Sequence, residues 1–156
     1  MTAHHLKIDK SLRPITLWVH PEGRVTGSIF VKAESANKGA EEPADVLNQA
    51  PHFIVLQKHE PEEIRFYNRS AIVRAEYPKS SADSSIKSHT YSCQLMMMDG
   101  SVINGIIQES LPSEFSRLYD YLNQREEYFI KLHSTDDMTY LVNKSYVTQV
   151  LSMEEQ

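Results

Sequence analysis

The sequence predicts a mainly β protein with short helices, built as two tandem small five-stranded β-barrels. Three observations carry this. Landmarks of the first half return in the second in the same order; β-branched and aromatic residues gather in short runs around glycine turns; and each half holds one brief helical break.

DVLNQ at 45 to 49 comes back as DYLNQ at 120 to 124. Alone this match would carry little, but its flanks match as well. TLWVH, VTGSI, DVLNQ, FIVL and NRSAIV are answered in order by QLMMM, INGII, DYLNQ, FIKL and NKSYVT. Leu17 and Gly27 answer to Leu95 and Gly105, 78 positions on. Phe53, Ile54 and Leu56 answer to Phe129, Ile130 and Leu132, 76 positions on, and Asn68 and Ser70 to Asn143 and Ser145, 75 positions on. The order and the small drift read as an internal duplication. The first barrel repeat is placed at 12–77, a serine-rich linker at 78–91 and the second repeat at 92–153.

Each repeat opens with a β-hairpin. Its two apolar stretches flank a glycine turn, PEGR at 21 to 24 and MDGS at 98 to 101. Gly27 and Gly105 fall inside the second strand, where glycine marks a sharp bend or a close backbone approach. A helix follows. In PSEFSRLYDYLNQ, Phe115, Leu118, Tyr119 and Leu122 share one helical face, with Ser113 as N-cap and Asn123 as a left-handed terminator. The first repeat has the shorter EEPADVLNQ, with Pro43 in the opening turn and a Lys, Gly and Glu-rich loop at 37 to 42. The leucine of each pentapeptide is expected to plug the core. Three strands close each repeat: FIVLQ, EIRFY and AIVRAEY, then YFIKL, MTYLV and YVTQVLSM. Five short strands in so few residues favour closure over a flat sheet with exposed edges.

Composition narrows the function classes. Of 156 residues, 40% are hydrophobic and 24% charged, a globular balance able to bury a core. The longest apolar runs, FIVL and LMMM, fall far short of the roughly 20 residues that span a bilayer, so no membrane partner is expected. MTAHHLKIDKSLRP has no apolar block behind a basic start, which points to the cytoplasm. The single cysteine, Cys93, excludes an internal disulfide framework and multi-cysteine metal sites. A net charge of -5 argues against wholesale coating of a nucleic-acid backbone and leaves room for a local basic patch.

QLMMMDGSVINGIIQES, YFIKL and YLVNKSYVTQVLS together resemble the Sm-like domains, a family of SH3-like small barrels that includes a bacterial RNA chaperone. The resemblance implies a five-stranded Sm-like barrel in each half. It also implies that the last strands pair edge to edge with neighbouring subunits, and that the polar-basic turns face RNA. Those turns are Asn68, Arg69 and Ser70, and Asn143, Lys144 and Ser145. The chain departs from the bacterial motif in carrying Ser70 and Ser145 where histidine is usual, and in placing its helix between strands two and three.

The same two turns are the most specific polar features, because Arg or Lys beside Asn and Ser can hold a phosphate or a carboxylate. Against this, Asn and Ser build turns by bonding their own backbone. His4, His5, His20, His52, His59, His89 and His133 lack metal-site spacing, and Asp136 with Asp137 reads as a hairpin turn. Cys93 has no basic neighbour to activate it, and Met96, Met97 and Met98 fall on both faces of a strand. No phosphate loop, nucleophile elbow or paired-acid motif occurs, so no enzyme and no cofactor is expected.

The leading reading is a non-enzymatic assembly or protein-interaction module that self-associates or takes a protein partner through its strand edges. The alternative is an RNA-binding Sm-like protein, with Arg69 and Lys144 on phosphate and Tyr67, Tyr140 or Tyr146 stacking on bases. A nucleotide-binding barrel using Arg65 and Arg69 of RFYNRS ranks last, since the glycine such barrels carry after the serine is missing.

Overall fold

The computed structural model describes residues 10–32, 41–79, 89–109, 118–124 and 127–153. The first half contains β1 (Lys10–Val19), β2 (Gly23–Lys32), α1 (Pro43–Gln49), β3 (Phe53–His59), β4 (Glu62–Asn68), a 3₁₀ turn (Arg69–Ala71) and β5 (Ile72–Pro78). The second contains β6 (His89–Met97), β7 (Val102–Glu109), α2 (Leu118–Leu122), β8 (Phe129–His133), β9 (Met138–Asn143), a 3₁₀ turn (Lys144–Tyr146) and β10 (Val147–Ser152).

The protein is mainly β. Where the sequence predicts two barrels, the ten strands form one open antiparallel sheet in the order β10-β6-β7-β8-β9-β5-β1-β2-β3-β4. Within it, β5-β1-β2-β3-β4 and β10-β6-β7-β8-β9 have the same relative order, each half placing its last strand beside its first. The continuity comes from the β5·β9 ladder, in which Arg74, Ala75, Glu76, Tyr77 and Pro78 oppose Val142, Leu141, Tyr140, Thr139 and Met138.

Local sequence accounts for the turns and bends. Gly23 and Gly100 close the two opening hairpins with φ of +100° and +90°, where a side chain would be strained. Gly27 and Gly105 oppose Ile15 and Cys93, and each lies where the third strand of its half passes close. A Cβ at Gly27 would sit 2.6 Å from the Gln57 carbonyl oxygen, and one at Gly105 would sit 2.9 Å from Leu132 Cβ. The expected close approach is therefore present in both halves. Asp137, at φ 63°, turns the β8–β9 hairpin that the Asp136–Asp137 pair predicts.

Among the described residues two clusters make up the core. Ile15, Leu17, Ile29, Leu47, Leu56, Ile72 and Tyr77 form the first, joined by Phe129 and Leu141 from the second half. Cys93, Leu95, Ile107, Tyr121, Leu132 and Val142 form the second, with Val73 of the first half packed on it.

Several sequence expectations are corrected. Leu47 plugs the core as expected, but in the second half Tyr121 takes that place while Leu122 is half-buried. The Tyr121 hydroxyl also accepts the Lys131 amide at 3.1 Å, which favours turning this side of α2 inward. Tyr119 is consequently exposed. Asn123 is not left-handed; its side-chain amide donates to the Tyr119 carbonyl at 2.9 Å. Ser113 and Phe115 lie outside the described residues, as do most of the linker and most of the 37 to 42 loop. Pro78 ends β5 and His89 to Tyr91 open β6, so strand pairing reaches into both ends of the expected linker. Among the described residues no helix is long and apolar enough to cross a membrane.

Candidate functional site

The polar-basic turns fold alike. Asn68 Oδ1 accepts the Ser70 amide at 3.0 Å and the Ser70 hydroxyl at 2.9 Å, and Asn143 Oδ1 accepts the Ser145 amide at 2.8 Å. Turn chemistry thus accounts for the asparagine in both halves and for the serine in the first. The basic residues are also engaged. Arg69 Nη1 donates to the carbonyls of Leu47 at 3.3 Å and Asn48 at 2.9 Å, and the guanidinium lies 4.1 Å from the centre of the Tyr128 ring. Lys144 Nζ donates to the Gln124 carbonyl at 2.9 Å. Arg69 therefore satisfies carbonyls in the last turn of α1, where such groups lack partners, and Lys144 bonds a carbonyl two residues beyond the end of α2, in both halves within the recurring pentapeptide. This explains why the pentapeptide and the basic turn recur together.

The remaining candidates are dispersed. Arg65 and Arg69 do not converge on one ligand position: Arg65 belongs to a surface network with Glu22, Glu63 and Tyr67, while Arg69 caps α1. Hydrogen bonds that it donates to Tyr67 and then to Glu63 raise the pKa of the Arg65 guanidinium. The Tyr67 ring is buried, whereas Tyr140 and Tyr146 are half-buried. Cys93 is buried in mid-strand opposite Gly105. On β6 Met97 is buried and Met96 half-buried, whereas Met98, expected on the same strand, lies exposed in the turn that follows it. Among the described residues no three His, Cys, Asp or Glu side chains gather as a metal cluster would.

The more informative geometry is at the strand edges. On β9, Thr139, Leu141 and Asn143 are fully buried at the joint with β5. Their counterparts 75 positions earlier on β4 are Ile64, Phe66 and Asn68, and all three are exposed, Ile64 by 49% and Phe66 by 67%. Phe129 is fully buried while its counterpart Phe53 is 57% exposed. Ile72, Ala75 and Tyr77 of β5 are fully buried; on β10, Val147 and Val150 are half-buried and Ser152 is exposed.

Polar side-chain contacts also hold the joint. Asn48 Oδ1 accepts the Phe129 amide at 2.9 Å. Asn143 Nδ2 donates to the Ile72 carbonyl at 2.9 Å. Lys131 Nζ lies 3.3 Å from Glu42 Oε1, which also accepts the Tyr77 hydroxyl at 3.4 Å. Among the described strands, β4 and β10 end the sheet, each paired on one side only. A long edge with exposed apolar residues is a template for further pairing, and β10, VTQVLS, carries no charge to blunt it.

No protein-family model, curated protein or solved structure matches this chain significantly.

Sequence reasoning singled out the turns and missed Phe53, Ile64, Phe66 and Val150. The repeat spacing gives each residue its counterpart, but which member of the pair is covered is seen only in the fold. Residues 75 or 76 positions apart occupy equivalent places, so any such pair that differs in burial marks where one half is covered and the other is not.

Proposed function

We propose that the chain is a non-enzymatic assembly module, two tandem Sm-like barrel repeats already joined to each other and offering one strand edge at each end for further pairing. The observation that carries this reading is the contrast between the buried β5·β9 joint and the equivalent edges of β4 and β10, which no described strand covers. Backbone ladders across such edges supply affinity, and the alternate side chains supply selectivity. Phe53, Ile64 and Phe66 provide an apolar surface of the kind that marks an interaction site. The RNA reading loses support because Arg69 is bonded to α1 carbonyls and stacked on Tyr128, and Lys144 is bonded to the Gln124 carbonyl.

Native mass spectrometry of untagged protein, purified gently from cells at low ionic strength, tests the proposal. An oligomer or a complex with another protein is expected, and it should weaken when Val150→Lys sets a charge on the β10 edge. A bare monomer would overturn the module reading. An oligonucleotide adduct lost in the Arg69→Ala, Lys144→Ala double variant would replace it with the RNA reading.

A further inference from the structure

We infer that the groove between the two halves binds a free α-amino acid with an apolar side chain, its carboxylate on Arg74, its ammonium on Asp99 and its side chain against Val73 and Met97. The site lies within the closed joint and is independent of what pairs with the free edges.

The joint itself makes the groove. β5 carries an extra residue, Val73, between Ile72 opposite Val19 and Arg74 opposite Trp18. Such a bulge re-aims the side chains beside it. The Arg74 guanidinium lies 4.0 Å from the centre of the Trp18 ring, and the Arg74 backbone is held on its other side in the ladder opposite Val142. Trp18, His20, Val73 and Arg74 of the first half and Met97 and Asp99 of the second line a cavity of about 330 Å³. It continues past His20 and Met97 into a second cavity of about 340 Å³, bordered by Met98 and Tyr146. Open space of this size, an apolar lining with a few polar groups, and a place between two structural units are the marks of a small-molecule site.

The charges define the ligand. Arg74 is half-buried and stacked, yet among the described residues its guanidinium makes no hydrogen bond or ion pair. Arg65 and Arg69, by contrast, are bonded to protein groups. A guanidinium held in place with donors to spare suits a carboxylate, which it can grip through two parallel bonds. Asp99 Oδ1 accepts the Ser101 hydroxyl at 2.7 Å and the Ser101 amide at 2.9 Å. These bonds, helped by the Arg74 charge, hold the Asp99 carboxyl below the usual carboxylate range. Asp99 is therefore ionised at neutral pH, attracts a cation and opposes a second negative charge in the groove.

Arg74 and Asp99 thus line one cavity with opposite charges and, among the described contacts, form no ion pair with each other. A ligand that satisfies both needs a carboxylate and an ammonium close together, beside an apolar group. A free α-amino acid is the smallest molecule of that kind. A peptide carries those two charges at opposite ends, and a phosphate dianion would meet Arg74 but be repelled by Asp99.

The second copy of the design shows that the strands do not require these residues. Trp18, His20 and Arg74 answer to Met96, Met98 and Gln149, and Asp99 answers to Pro21. The same elements are built there without the stack, the cation or the carboxylate. The charged residues come together only where the two halves meet.

Trp18 is the only tryptophan of the chain, so its fluorescence reports on the groove. Titrating the full chain with L-phenylalanine, L-leucine or L-methionine should change the emission saturably with a Kd at or below about 1 mM, and saturation-transfer NMR of the ligand gives a second readout. Hydrocinnamate and phenethylamine, which each lack one charge of phenylalanine, should bind at least about tenfold more weakly, as should glycine, which lacks the side chain. Asp99→Asn, an exposed change able to keep the bonds to Ser101, should weaken phenylalanine binding at least about tenfold. Arg74→Gln, which installs the residue found at the equivalent place in the second half, should do the same, and Asp99→Asn decides alone if that variant does not fold. Equal binding of the analogues, binding untouched by Asp99→Asn, or no saturable change in either readout up to about 10 mM would overturn the inference. Tighter binding of inorganic phosphate or of a terminally blocked peptide would overturn it in favour of that ligand.

Discussion

Asn48 and Phe129 are 81 residues apart, and the backbone amide of the second donates to the side-chain oxygen of the first at 2.9 Å. The asparagine of the first pentapeptide is, in the fold, a tie between the two halves. Its counterpart Asn123 bonds its own helix instead, to the Tyr119 carbonyl.

From this difference, Asn48→Ala should lower the stability of the dilute chain by about 1–2 kcal/mol, the usual cost of leaving a part-buried amide without its partner. Asn123→Ala should cost less than about 0.5 kcal/mol, as exposed changes do. Urea unfolding at low protein concentration compares them, and equal losses would remove the special role of Asn48.

Arg69→Ala gives up two bonds to α1 carbonyls and the stack on Tyr128, for an expected loss of about 1–3 kcal/mol. Arg69→Lys should restore only part of this, because lysine offers a point charge where arginine offers a plane. Thermal melts of the three proteins check the order.

Gly27→Ala forces a methyl against the Gln57 carbonyl, a backbone atom unable to rotate away, and should cost about 2–3 kcal/mol or prevent folding. At Gly100 nothing lies within 4 Å, so Gly100→Ala should cost only the roughly 1 kcal/mol of its positive φ. Soluble yield and melting temperature would separate the two. A milder Gly27 variant would mean that β3 shifts easily.

Leu141→Ala empties part of a packed core and should destabilise by about 2–5 kcal/mol, whereas Phe66→Ala at the equivalent exposed place should stay near about 0.5 kcal/mol in the dilute chain. Chemical denaturation measures both. Similar losses would mean that the free edge is not open.

Burial first, and then Glu76 and Asp136, raise the pKa of the Tyr140 hydroxyl above the usual tyrosine range. The folded state thus favours the neutral phenol. The associated stability is complete below the ordinary tyrosine pKa and is lost as pH rises through the folded value. Ultraviolet titration should show a late-ionising component that Tyr140→Phe diminishes by one phenol. An unchanged late component in the variant would assign the shift elsewhere.

Much of the architecture was legible in the chain because it rests on local chemistry. Glycines at turns, a proline opening α1, alternation along strands and asparagine-led turns act over a few residues, and repetition doubled each signal. The residues of the joint were legible only as apolar or polar letters. Phe53 and Phe129 sit in nearly the same local sequence, HFIVL and YFIKL, yet one is exposed and the other fully buried. No short-range rule separates them, because their difference depends on which strand lies alongside. The sequence by itself determined the elements, their order and their equivalence between halves. Only the tertiary structure decided that the halves share one ladder, that Arg69 and Lys144 bond carbonyls of the recurring pentapeptides, and that one set of equivalent side chains is covered while the other is bare. Ladder pairing and burial are set by contacts between residues far apart in the chain, and such contacts leave no periodic trace in either partner alone.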